Sequence, residues 1–113
     1  MYDIIMTKAA KNDIYGAASY ITYHLKNDIA AEHLLSEINK QMNVIRDMPE
    51  CCSFAPDRFL ASEGIRMKMI KKYLLFYIIC EESKSIFVMR FLHSSCNWIS
   101  ILTDEVIDNF PPE

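Results

Sequence analysis

YLLFYIIC (Tyr73–Cys80), a charged connection EESK (Glu81–Lys84) and SIFVMRFLH (Ser85–His93) form the stretch that decides the fold. Both runs are rich in β-branched and aromatic residues, and the short polar link between them predicts an antiparallel hairpin. Neither run alternates cleanly between apolar and polar. Successive strand side chains point to opposite faces, so Leu74, Phe76 and Ile78 fall on one face and Leu75, Tyr77 and Ile79 on the other. The partner run repeats this, with Ile86, Val88 and Leu92 opposite Phe87, Met89 and Phe91. A sheet that is apolar on both faces has to be covered on both. A chain of 113 residues is expected to run short of material for the second face, which points to a binding partner there.

Working outward, the opening Tyr2–Met6 reads as a short strand, and Thr7 as a helix N-cap whose hydroxyl accepts from a free first-turn N–H. Ala10, Ile14, Ala17, Ala18, Ile21 and Leu25 recur at spacings of three and four, one stripe of an amphipathic helix. Asn27 caps a second helix with the stripe Ala31, Leu34, Leu35, Ile38, Met42 and Ile45, ended at Met48-Pro49 because proline disfavours the helical region in its predecessor. The short link makes the pair an antiparallel helical hairpin. Residues 50–64 read as a loop with a turn of helix near Arg58–Ser62, and Ile65–Ile70 as a strand followed by a turn at Lys71-Lys72. Asn97–Leu102 reads as either a last short strand or a helical turn.

The order β-α-α-β-β-β predicts an α+β domain, with the N-terminal strand and helical hairpin packed on one face of a mostly antiparallel sheet. One domain spans residues 1–103, and residues 104–113 form an acidic tail. The helices are expected to cover one face, leaving function on the other.

Composition narrows the function classes. The chain is 51% hydrophobic and 24% charged, as in globular domains. No apolar run reaches membrane-span length, and no basic segment leads into a signal-like apolar stretch, so the cytoplasm is the expected location. Cys51, Cys52, Cys80 and Cys96 match no metal-ligand spacing and read as reduced thiols, and neither metal nor cofactor is expected. The net charge of −3 is unevenly spread: residues 57–91 hold seven basic and four acidic side chains, whereas residues 92–113 hold four acidic and no basic ones. The middle of the chain is therefore the basic part.

Catalytic templates find little. Gly16 and Gly64 are the only glycines, too few for a phosphate-cradling loop, and Glu81-Glu82 reads as a solvated turn. The better constellation is basic. Arg66 and Lys68 project from one strand face, Arg90 lies on a hairpin strand and His93 ends that strand. Together they can stabilise phosphate charge, with His93 as acid or base. Arg58, Lys71 and Lys72 extend the patch as target-binding residues, and Trp98 either stacks on a base or caps the core. The competing reading makes Arg66 and Lys68 an exposed polar face and Arg90 part of a structural ion pair.

These pieces, in this order, resemble a known family. Tyr2–Thr7, Asp13-Ile14, Tyr20-Ile21, Leu25–Asn27, Ala30–Glu32 and Leu34-Leu35 lead to Met48-Pro49, Gly64–Arg66 and Tyr73–Tyr77. Arg90–His93, Asn97-Trp98 and Leu102 complete the set. The whole resembles the RelE/ParE superfamily, toxins of bacterial type II toxin–antitoxin modules, also called plasmid stabilisation proteins. The resemblance implies a cognate antitoxin as partner, laid across the uncovered sheet face or along the helical hairpin, and leaves a homodimer open. It implies one of two actions: mRNA cleavage on the ribosome, or inhibition of DNA gyrase by binding. A homologue acting only as a protein-interaction module is the alternative. By position, Arg66 and Lys68 match the basic strand pair of the nucleases. Leu74 stands where a basic residue often follows the hairpin tyrosine, and Ser95 stands where arginine is common.

Overall fold

The structure, a computed structural model, describes residues 2–108. Strand β1 (Asp3–Met6) leads into helix α1 (Lys8–Ser19), a π-helical turn (Tyr20–His24) and helix α2 (Asp28–Asp47). A tight helical turn (Pro49–Cys51) and helix α3 (Arg58–Ser62) precede β2 (Arg66–Ile70), β3 (Tyr73–Cys80) and β4 (Ser85–His93). Helix α4 (Trp98–Asp108) closes the described chain. The sheet order is β1-β4-β3-β2, with β1 parallel to β4 and the other pairings antiparallel. The α+β class and the mostly antiparallel sheet are as the sequence led us to expect.

Local chemistry sets the boundaries. Thr7 Oγ1 accepts the Ala10 N–H at 3.1 Å, and Asn27 Oδ1 accepts the Ala30 N–H at 3.0 Å, so both helices begin on side-chain caps. The α1 stripe does not continue as one regular helix to Leu25. It loosens into the π-helical turn, where the Leu25 N–H reaches back to the Tyr20 carbonyl. Helix α3 ends on Gly64, whose φ of +83° favours glycine. The Gly64 N–H returns to the Ala61 carbonyl and the Ile65 N–H to the Leu60 carbonyl, which aims the chain into β2.

The sheet is buried on both sides, and this corrects the expectation of an uncovered face. On one side Ala10, Ala17, Leu34, Ile38, Met42 and Ile45 of the helical hairpin pack on Leu75, Tyr77, Ile86, Val88 and Phe91. On the other, Leu60 of α3 and Leu102 of α4 join Ile65 and Ala55 over Leu74, Phe76, Met89 and Leu92. The cover comes from the chain itself. Trp98, Ile101, Leu102 and Val106 place an apolar stripe on the sheet side of α4. What reads as a short C-terminal element is thus an 11-residue helix, and it holds Asp104 and Glu105 inside its turns. The remainder of the expected tail, residues 109–113, lies outside the described residues.

One irregularity redirects β4. Phe76 pairs with Arg90 but Tyr77 pairs with Val88, so Met89 is an extra residue on that strand. The bulge flips the alternation: Ile86, Val88 and Phe91 face the helical hairpin, and Met89 and Leu92 face α4. Thr7 holds it in place, its backbone N–H bonding the Val88 carbonyl at 3.1 Å and its hydroxyl donating to the Met89 carbonyl at 2.7 Å.

Candidate functional site

The bulge decides where the basic residues point. Arg66 and Lys68 lie opposite Tyr77 and Leu75 in the β2–β3 register, which puts them on the helical-hairpin face of the edge strand. His93 pairs with Tyr73 and shares that face. With strands about 5 Å apart and about 3.4 Å per residue, Lys68 and His93 stand on the order of 12 Å apart at Cα. Arg90 pairs with Phe76, on the α4 side of the register, but at the edge of β4 beyond the end of β1 its guanidinium reaches both Asp13 of α1 and Glu105 of α4. Three of the four expected site residues share a side, and the fourth is tied up at the sheet edge.

Arg90 donates three charge-assisted hydrogen bonds where it lies. Its Nε donates to Asp13 Oδ2 at 2.6 Å and its Nη2 to Asp13 Oδ1 at 2.9 Å, a bidentate pair, while Nη1 donates to Glu105. Asp13 Oδ2 also accepts the Phe91 N–H at 3.1 Å. The Asp13 bonds, and then those to Glu105, push the guanidinium further above its ordinary value, against the effect of burial. This cluster joins α1, β4 and α4, and it is the structural ion pair that the sequence offered as the competing reading.

Arg66 is also partly spent. Its Nη1 donates to the Cys52 carbonyl at 2.6 Å and its guanidinium lies 4.2 Å over the Phe54 ring. Beside it the buried Tyr77 hydroxyl donates to the Pro49 carbonyl at 2.8 Å, and burial pushes that phenol far up. Lys68 is half-buried on the same strand face. Arg58 opens α3 and is exposed. Trp98 packs against Phe76, ring centroids 5.3 Å apart, as a cap on the core under α4. Leu74, at the position often basic in the resembling family, is buried in that same layer.

Lys71, Lys72 and His93 do come together. The Ser94 N–H donates to the Lys72 carbonyl at 2.9 Å and fastens the end of β4 to the β2–β3 turn. There the three side chains meet the tip of the helical hairpin around a cleft of about 680 Å³. Ile21, Leu25, Ala30 and Leu34 form its apolar wall, and Tyr20, His33 and Tyr73 complete it. His93 Nδ1 accepts the Ser95 N–H at 3.1 Å, so the neutral ring carries its proton on Nε2. Burial, and then Tyr20 nearby, raise the Tyr73 phenol, which stays protonated and able to donate. Tyr20, His33 and Tyr73 were not foreseen. His33 and His93 lie far apart in the chain, and the π-helical turn that delivers Tyr20 has no sequence signature. The hairpin register, which sets Tyr73 opposite His93, is the one signal that would have tied the turn to the strand end.

Among the described residues no group of three or more His, Cys, Asp or Glu side chains is placed to hold a metal ion, and no helix is long and apolar enough to cross a membrane. The four cysteines are free thiols.

Comparison with known proteins accounts for this architecture. Solved structures similar to the chain include a chromosomal ParDE toxin–antitoxin system from P. aeruginosa, with a TM-score of 0.66 at 15% identity over 82% of this chain and 96% of that one. The isolated E. coli RelE toxin aligns with a TM-score of 0.55 at 14% identity over 95% and 99% of the two chains. A toxin–antitoxin complex, RelBE2 from Mycobacterium tuberculosis, aligns at 0.52 with 18% identity over 81% and 96%. At these identities the likeness is one of fold. No curated protein matches the sequence significantly. The family model of the ParE toxin of the type II toxin–antitoxin system parDE matches residues 4–98, from β1 to the start of α4, and the chain therefore belongs to the ParE toxin family of type II toxin–antitoxin systems.

Proposed function

We propose that this toxin arrests growth by binding and disabling DNA gyrase in the cytoplasm, without breaking a bond itself, and that a cognate antitoxin neutralises it. The observation that carries this reading is the state of Arg90. A cation that stabilises a phosphate in a transition state has to be free to face it, and Arg90 is held by Asp13 of α1 and Glu105 of α4 in a clamp between the two helices. Arg66 is drawn to the Cys52 carbonyl and the Phe54 ring, and Leu74 is buried where a further cation would stand. The remaining basic residues on the helical-hairpin side, Lys68, Lys71 and Lys72, suit attraction to a target surface.

With α4 over the second sheet face, apolar surface for an antitoxin lies along the helical hairpin. There Tyr15, Tyr23, Leu25 and Ile29 stay more than half exposed. An amphipathic antitoxin helix laid on that surface covers them.

A second reading, ribosome-dependent mRNA cleavage, draws on His93 standing beside Lys71 and Lys72. Induced expression with and without the antitoxin separates the readings. Arrest with intact transcripts and DNA-damage signalling, relieved by the antitoxin, supports gyrase inhibition. Arrest with cut transcripts supports the nuclease. Absence of arrest overturns both and leaves a protein-interaction module.

A further inference from the structure

The cleft between the hairpin tip and the sheet end is asymmetric in a way that the toxin reading does not require. Its sheet wall supplies Lys71 and Lys72, which carry only donors, and His93, whose Nε2–H is the free position of its ring. Its helical wall supplies the apolar surface of Ile21 and the exposed Leu25, with His33 beside them. Among the described residues no carboxylate lines it. One end is thus complementary to a many-oxygened anion and the other to a flat apolar group, and the volume of about 680 Å³ is that of a small-ligand site. Tyr20, on the half-exposed π-helical turn, has its ring stacked on His24 with centroids 4.9 Å apart, and this aromatic pair borders the apolar side. Such turns recur at functional sites in helices.

We propose that this cleft binds a nucleotide, its phosphates on Lys71, Lys72 and His93 and its base against the helical wall beside Tyr20. Charge complementarity selects the phosphates, and two adjacent lysines suit more than one of them. The base displaces water from apolar surface that is otherwise left wet. An acidic peptide without aromatic side chains shares the charge but has no flat ring to place on that wall.

Calorimetric titration of the purified full-length chain tests this with ADP, and with pyrophosphate and adenosine as its two halves. ADP is expected to bind roughly tenfold or more tighter than either half, and Lys71→Gln with Lys72→Gln to weaken ADP roughly tenfold or more. Tyr20→Ala is expected to weaken ADP while leaving pyrophosphate unchanged. The pair Lys8→Gln and Lys11→Gln, which removes the same charge from exposed positions on α1, leaves ADP binding unchanged. Equal binding of ADP and pyrophosphate overturns the proposal. So does equal weakening by the control pair, absence of saturable ADP binding, or binding of an acidic peptide in place of ADP. Growth arrest does not enter these titrations, so the site and the gyrase reading fail or stand separately.

Discussion

Replacing Arg90 with methionine tests whether that residue is a clamp or a functional cation. In the folded protein its side chain is 20% exposed, with Asp13 at 15% and Glu105 at 28%. Methionine keeps much of the packing volume but leaves two carboxylates near each other without their cation. Breaking a fully buried pair by removing one partner costs about 3–5 kcal/mol, and residual solvent here brings the loss to about 2–3 kcal/mol. For a domain of this size that lowers the Tm by roughly 10 °C. Urea unfolding followed by circular dichroism should show the midpoint falling with an unchanged slope. Arg90→Lys keeps the charge but loses the bidentate fork, and should fall between the two. Combining Arg90→Met with Asp13→Asn should cost less than the sum of the single losses, by about 1 kcal/mol or more. The clamp account is refuted if Arg90→Met unfolds within about 0.5 kcal/mol of the parent while growth arrest disappears. That outcome would mean the guanidinium is needed by a target and not by the fold.

Other outcomes follow from the same geometry. Leu102 is fully buried between α4 and the sheet, and Leu102→Ala should cost about 2–4 kcal/mol in urea unfolding. Thr7→Ala removes both the α1 cap and the hydroxyl bond to the Met89 carbonyl, with an expected loss of about 1–2 kcal/mol. Burial holds the Tyr77 phenol above the ordinary tyrosine value of about 10. The unfolded chain therefore ionises first, and the stabilisation from Tyr77 is complete below pH 10 and lost above it. Tyr77→Phe should flatten that alkaline decline in unfolding experiments across pH 9–11, at the expense of leaving the Pro49 carbonyl unpaired. Hydrogen bonds from the Ser83 side chain and backbone lower the Cys80 thiol, whereas burial and then Cys52 raise that of Cys51. Mass-spectrometric maleimide labelling near pH 7.5 should therefore modify Cys80 before Cys51, and the buried Cys52 last.

The hairpin made much of this fold legible before any coordinates. Period-two alternation assigns Leu74 and Phe76 to one face and Leu75 and Tyr77 to the other, and the structure keeps that division. The bulge at Met89 was hidden because tertiary bonds from Thr7, far away in the chain, hold it. With it went the direction of Arg90, since a one-residue slip exchanges faces. The C-terminal helix was obscured for a related reason. Asp104 and Glu105 look like the start of a solvated tail until Arg90 supplies the partner that holds Glu105 against the sheet. The candidate site was half visible: Lys71, Lys72 and His93 follow from hairpin register, whereas Tyr20 and His33 arrive through the packing of the helical hairpin. Family membership was readable from ordered fragments spread along the chain, and the family model spans the same region.

The claim on which the account turns is that the toxin holds its target without cutting RNA. The most direct measurement is DNA supercoiling by purified gyrase in the presence of this protein, run alongside primer extension on mRNA in a translating ribosome extract. The account predicts that supercoiling is inhibited in proportion to added toxin, that antitoxin restores it, and that the mRNA stays whole. Unimpeded gyrase together with new 5′ ends in ribosome-bound mRNA would contradict it.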